Sequence, residues 1–574
     1  MSVQGALQRL TADRRASRWA VLAGVALALP SLAGGLQVDD HWHAIALRGH
    51  PAWPEFRLRA WDVFRFFDGS PVHNQALMDR GVVAWWTDLD VRVAFVRPLS
   101  SLTHALDHRL FPGAPWAMHL HSILWFAALL AVASALIGRF LSGTARGLAA
   151  LFYAVSCARG VTVGWIAQRN SLVAGTLALG AILLHDRASK REGSALHGPL
   201  LFAFALLGGE SALAALGVLV AHAWFVDPRP RPWRFLVPYG AVFVGWAVLY
   251  RALGGGVRHS SGYTDPLANP LRFARGAAVH LPLLLGGELG APLPDAWPAV
   301  GLGPRVAMVV LACVALAFAI RALTDRLDRF FLAAALLSVL PGCATFPSGR
   351  LLTIPGVMLV CLQARLVTRL LEGELRGSLR AWATWVLGGR LLLGPVLFLV
   401  TAMQFALLEH RLHGLSESVP DDLARRPALY VVNGPGFLTA YAPVHRSRAG
   451  VPSPRVFGWL GIGMRPLTIR RIDARTLELR TDGALFGGPL EMLATDPERR
   501  FLVGERIVLP DVTVTVRSTT VEGRPDAVTF TFGDDVDAVS RGFVAWQGIR
   551  YVRWTPPPIG ASSELAAQPL FSLD

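Results

Sequence analysis

The sequence predicts a mainly α, polytopic transmembrane helical bundle of about 10 to 13 spans, followed by a C-terminal soluble all-β domain. Three observations lead there. Of 574 residues, 53% are hydrophobic and only 17% charged, so much of the chain must lie in lipid. Apolar runs long enough to span a bilayer recur from residue 19 to residue 408, separated by short arginine-rich loops. From about Glu417 the runs give way to short alternating pieces punctuated by glycine turns.

The first run, 19–36, has no suitably placed small-x-small cleavage site and is followed by further runs, so it reads as a retained span. Arg9, Arg14, Arg15 and Arg18 precede it and hold the N-terminus in the cytoplasm by the positive-inside rule. The polar segment that follows, 37–115, is therefore an extracytoplasmic loop. Its mixtures of Trp, Phe and Arg at 56–67 and 84–86 predict helices lying in the membrane interface. Leu99, Leu102, Leu106 and Leu110 add a further such helix over 98–111.

Apolar runs then follow at 120–137, 148–163, 172–184, 199–226, 235–253, 277–289, 306–322, 330–345, 351–367 and 382–408. Basic loops at 139–146, 185–191, 227–234, 321–329 and 365–380 mark the cytoplasmic side. Proline and glycine breaks leave 277–300 open between a span, a re-entrant segment and a surface piece. The run 199–226 is either one span or two short helices around Gly208–Gly209.

Beyond the last run, β-rich pieces appear at 428–432, 467–472, 476–479, 506–509, 512–516 and 527–532, with turns at Thr481-Asp482-Gly483 and Glu522-Gly523-Arg524. They predict a sandwich or barrel, outside the cytoplasm if 382–408 runs outward. The expected division is a transmembrane domain over 1–416 and an extracytoplasmic β-rich domain over 417–574.

The net charge of +15 sits in loops between apolar runs, an orientation pattern and not a nucleic-acid footprint. Lys190 is the only lysine, a bias that hints at a GC-rich bacterial genome. Cys157, Cys313, Cys343 and Cys361 lack CxxC spacing and read as small core residues.

Chemistry is expected where the first span ends. Asp39 and Asp40 emerge there at the outer membrane surface, where a carboxylate reaches the head of a lipid-linked substrate. With His41 and His43 they resemble a metal cluster, but residues two apart do not share a helix face, so no metal site is assigned. His119 and His121, also two apart, open the second span; one orienting a substrate hydroxyl is the expectation. Glu210 lies inside an apolar run, where a carboxylate is costly and functional by default, unless an arginine on a neighbouring helix pairs with it.

Several strings together resemble the GT-C superfamily of integral-membrane glycosyltransferases. They are Asp39-Asp40, Arg97-Pro98-Leu99, Pro115-Trp116-Ala117-Met118-His119-Leu120 and Gly164-Trp165-Ile166-Ala167-Gln168-Arg169-Asn170-Ser171-Leu172, followed by Gly209-Glu210-Ser211-Ala212 and Gly349-Arg350-Leu351-Leu352-Thr353-Ile354-Pro355. The resemblance spans about 18–408 and is nearest to the polyprenyl- or dolichyl-phosphate-mannose-dependent O-mannosyltransferases, including the membrane half of the tetratricopeptide-containing transferases. It leaves the β-rich domain uncovered.

The resemblance implies an inverting transferase of the cytoplasmic membrane that moves a sugar from a polyprenyl-phosphate donor to a glycan or protein acceptor at the outer face. Asp39 would be the general base. Asp40 would raise the pKa of its neighbour or hold a divalent cation, the one cofactor considered. Arg97, Arg169 and Arg350 would neutralise phosphate, with snorkelling to headgroups as the alternative, and His119 and Glu210 would complete the substrate site. The chain departs from the family at Gly209, Asn170, Gly349 and Thr353, which removes charge from the implied site. The competing expectations are a polytopic transporter or flippase and an inactive scaffold whose β-domain binds glycan or protein.

Overall fold

The computed structural model describes residues 3–13, 15–488 and 490–568. Arg14, one of the orientation arginines, lies outside them, as does the end of the C-terminal domain, 569–574.

Among the described residues seven helices are long and apolar enough to cross a membrane: Ala16–Ala33, Pro115–Phe140, Ile166–Ser189, Pro232–Ala252, Leu302–Arg321, Arg326–Ala344 and Gly377–Glu417. An eighth passes if Gly143–Ala154 and Cys157–Gly164, bent by 46°, form one span. Val306, Val310 and Val314 stay exposed at i, i+4 spacing, as a lipid-facing stripe would. The remaining apolar runs make other helices. Pro355–Leu371 is short, and buried along most of its length among the others. The run 199–226 breaks at Gly209 into His197–Gly208 and Ala214–Phe225. The Pro/Gly-broken stretch becomes the helix Pro270–Glu288 and the turn Pro294–Ala299, with Leu283 packed on Met308 and Ala312.

Helix Cys157–Gly164 lies against the exit helix Gly394–Glu417 at backbone contact: a Cβ on Gly164 would sit 2.0 Å from the Ala402 carbonyl oxygen. Small residues permit that approach, and it fixes the loop Trp165–Gln168 that follows the helix Cys157–Gly164.

The outer segment departs from expectation. It folds as helices Asp39–Arg48, Pro71–Asp79 and Pro98–Leu110 around strands Arg65–Asp68 and Arg92–Ala94; the latter strand also pairs with Gly256–Arg258 from a later loop. Residues 56–67 are turn and strand, and 84–86 are not helical. Trp85 and Trp86 are not interfacial: both are buried in the core of the C-terminal region, Trp86 stacked on Phe486 at 4.4 Å. Their indoles donate to the carbonyls of Leu460 and Glu491. At Gly81, φ is +73° and a Cβ would lie 2.1 Å from the Phe457 carbonyl oxygen, so glycine is required at this seam.

The C-terminal region packs two sheets on one apolar core. The six-stranded sheet is antiparallel and runs in the order Ser562–Leu565, Leu467–Arg471, Thr476–Thr481, Pro525–Phe532, Val512–Thr519, Arg506–Val508. The four-stranded sheet, in the order Arg550–Arg553, Arg541–Gln547, Ala428–Gly434, Val456–Ile462, contains parallel pairs. Its strands Ala428–Gly434 and Val456–Ile462 are joined through the helix Tyr441–Arg448, because parallel neighbours need a crossover. The region is thus a two-sheet structure with one βαβ crossover, and the helix faces the membrane domain.

Candidate functional site

Asp39 and Asp40 open the helix Asp39–Arg48. The residue before them, Val38, adopts φ 45°, a conformation that costs a β-branched residue of order 1–3 kcal/mol. Its amide donates to Glu409 Oε2 at 3.2 Å, which holds the chain in that bend.

The two aspartates then face different tasks. Asp40 is buried, and both its oxygens accept from backbone: Oδ2 from the Gln37 amide at 2.9 Å and Oδ1 from the Ala167 amide at 2.8 Å. It ties the helix start to the preceding turn at Gln37 and to the Trp165–Gln168 loop. These two contacts give Asp40 a structural use in the fold. Asp39 instead lines a cavity of about 210 Å³ walled by both the outer loop and the C-terminal region, among them Trp42, Phe67, Trp86, Tyr263 and Trp459.

The Tyr441 hydroxyl donates to Asp39 Oδ1 at 3.2 Å. Burial pushes the Asp39 carboxyl up to about 6, against that hydrogen bond and the positive charge of Arg350, which both pull it down. Burial is the largest cause of that rise.

The three arginines fare differently. Arg169 is fully buried; its guanidinium pairs with Asp107 Oδ2 at 2.5 Å and donates to Met118 O and Ser122 Oγ. Arg97 pairs with Glu210 Oε2 at 2.6 Å and lies over the rings of Phe64 and Phe95. That is the arginine partner anticipated as the structural use of Glu210. Arg350 lies over Phe346, 5.2 Å from the ring centroid, and its guanidinium has no hydrogen bond or ion pair among the described residues. It is the cation of the three that is left available, and its field reaches Asp39. An aromatic row joins the ends of this site: Phe346 meets Tyr263, Tyr263 meets Phe95, and Phe95 carries Arg97.

His119 Nε2 bonds the Gly35 carbonyl at 2.8 Å and secures the end of the first span, while His121 Nδ1 meets Asp107 Oδ1 at 2.8 Å. The four-residue cluster Asp39, Asp40, His41 and His43 disperses, as i, i+2 spacing on a helix requires. His43 turns inward against His104 and Phe64, and burial holds it down at about 3, hence neutral. His41 turns to Glu409.

Tyr441, Glu409, His445, His104 and Asp107 were not singled out from the sequence. For Asp107 the signal was present: on the helix Pro98–Leu110, Leu102, Leu106 and Leu110 stay exposed, while Ser100, Ser101, His104, Asp107 and His108 are buried. The polar stripe opposite the leucines is the one that builds the site. For Tyr441 the only hint was its i, i+4 spacing to His445 inside a stretch otherwise read as β.

No family model and no curated protein matches the sequence. Solved structures do resemble it. An oligosaccharyltransferase from Archaeoglobus fulgidus aligns over 78% of this chain and 64% of its own at 11% identity, TM-score 0.37. ArnT from Cupriavidus metallidurans, bound to undecaprenyl phosphate, aligns over 77% and 90% at 14% identity, TM-score 0.29. The arabinofuranosyltransferase AftD from Mycobacteria aligns over 92% and 42% at 15% identity, TM-score 0.33. The chain thus spans under two thirds of the length of the oligosaccharyltransferase.

Proposed function

We propose that the protein is a GT-C-type membrane glycosyltransferase that moves a sugar from a polyprenyl-phosphate donor to an acceptor hydroxyl at the outer face of the cytoplasmic membrane. One observation carries the reading: Asp39 stands at the wall of a partly open cavity, raised to about 6 by burial and held by Tyr441. A carboxylate so poised is ionised at neutral pH yet basic enough to take a proton as the hydroxyl attacks the anomeric carbon, with inversion there. The phosphate leaves as an anion, and Arg350, free of other partners, is the cation we assign to it. The positive-inside pattern supports the placement, and the ordered strings from Asp39-Asp40 to Arg350 support the superfamily.

A non-catalytic scaffold is the second reading, favoured by the internal neutralisation of Arg97 by Glu210 and Arg169 by Asp107. One experiment separates the two: mass spectrometry of envelope glycans and glycoproteins from a deletion strain complemented with wild type or with Asp39→Asn. A glycan that vanishes on deletion and returns only with wild type supports the transferase. Full restoration by Asp39→Asn supports the scaffold.

A further inference from the structure

Two residues beyond Asp39 and four beyond Tyr441, His41 and His445 aim at a single carboxylate. His41 Nε2 lies 2.7 Å and His445 Nε2 3.0 Å from Glu409 Oε1, and the ring centroids are 4.6 Å apart. One ligating atom from each residue lies within 4.8 Å of the other two. Both imidazoles are buried, and Glu409 is nearly so. The three residues come from three separate parts of the fold: the outer-loop helix, the exit helix and the crossover helix of the C-terminal region.

As a set of hydrogen bonds this is a poor arrangement. Two rings crowd one oxygen, and His445 Nδ1 is buried with no hydrogen-bond partner among the described residues. As a ligand set it is familiar chemistry, since two imidazoles and a carboxylate hold zinc-class ions and leave a fourth position for water.

We infer that His41, Glu409 and His445 form a binding site for a divalent transition metal of the zinc class, which clamps the outer loop, the exit helix and the C-terminal region together. The site is distinct from Asp39 and does not depend on the glycosyltransferase reading. On loading, His41 binds through Nε2 and carries its proton on Nδ1. The Arg448 guanidinium, which touches Nδ1, must then turn away. Arg448 is the group that opposes the metal, both as a nearby cation and as a donor facing a donor. Glu409 keeps its second oxygen on the Val38 amide, so the clamp also holds the bend that aims Asp39. Tyr441 and His445 share a face of their helix at i, i+4, which links the clamp to the Asp39–Tyr441 contact.

The test uses the full chain in detergent, stripped with chelator and dialysed against Zn²⁺ or, as control, Mg²⁺, followed by elemental analysis and thermal melting. The expected result is about one zinc retained per chain, a melting temperature raised by Zn²⁺ but not by Mg²⁺, and loss of both effects in Glu409→Gln and His445→Ala. Arg448→Ala should bind zinc several-fold more tightly. That gain, and a tetrahedral Co²⁺ absorption spectrum in the wild type, remain readable if the ligand variants do not fold. Zinc retention no greater than in a His41→Ala/His445→Ala variant overturns the inference, as does stoichiometric zinc that survives both single substitutions.

Discussion

Tyr441 donates to Asp39 across 402 residues of sequence. The proposed base at the N-terminal end of the chain thus depends on a hydroxyl supplied from beyond the last membrane helix. Because a hydrogen bond to the ionised carboxylate favours that form, the contact tunes the base as well as placing it.

Removing it should be visible in the pH dependence of transfer. Asp39 sits near 6, above its ordinary value, so activity should be full above that pH and fall as pH drops through it. Tyr441→Phe keeps the ring and loses the donor, so the limb should move to higher pH. An unmoved limb with lower activity would make Tyr441 a packing residue only.

The two aspartates should separate by kind of defect. Asp39→Asn should cut transfer by ~10²-fold or more with donor binding intact. Asp40→Asn turns a donor toward one of the two buried amides and leaves it without an acceptor, so it should lower the thermal stability of the detergent-solubilised protein by roughly 1–3 kcal/mol. Stability equal to wild type in Asp40→Asn would return Asp40 to the chemistry.

Arg350→Ala should weaken use of the polyprenyl-phosphate donor by roughly 1.5–3 kcal/mol, the worth of one charge-assisted contact. It should also raise the acid limb, since a cation that lowers Asp39 is gone. Arg350→Lys should restore the limb more fully than the donor affinity, because lysine keeps the charge but not the fork.

Arg97 and Glu210 should behave as a pair. Each single substitution, Arg97→Met or Glu210→Gln, strands a charge, so the double variant should be less destabilised than the two singles summed, measured in a thermal double-mutant cycle. Simple additivity would free Arg97 for substrate.

Topology offers a further check. The outer loop and the C-terminal region share a core, so cysteines at the exposed positions of Val72 and Val539 should be labelled together, and from outside, in intact cells. Labelling of one without the other would contradict the shared core.

Much of the architecture was legible because membrane spans advertise themselves through length and arginine-flanked ends. The break at Gly209 and the helix over Pro98–Leu110 were readable for the same kind of local reason. The indoles of Trp85 and Trp86 misled, because an aromatic pair beside arginine satisfies the interface rule and a distant core equally well. The helix Tyr441–Arg448 was invisible: parallel strand pairing is a long-range fact with no local signature. The site was half legible. The place of Asp39 at the end of the first span was readable from the sequence, whereas the sharing of charges among Arg97, Arg169, Arg350, Glu210 and Asp107 depends on which helices meet. Single-sequence periodicity does not carry that information.

The seam at Trp85 and Trp86 also sets an order of events during synthesis. These indoles fill a core whose other walls are strands made more than 340 residues later, such as Val456–Ile462 with its Trp459. Until those strands are made, the first loop has no wall on one side and the cavity at Asp39 lacks its C-terminal lining. A chain interrupted before those strands would carry its aspartates and arginines yet lack the walls around Asp39, so the candidate site is assembled only late in synthesis.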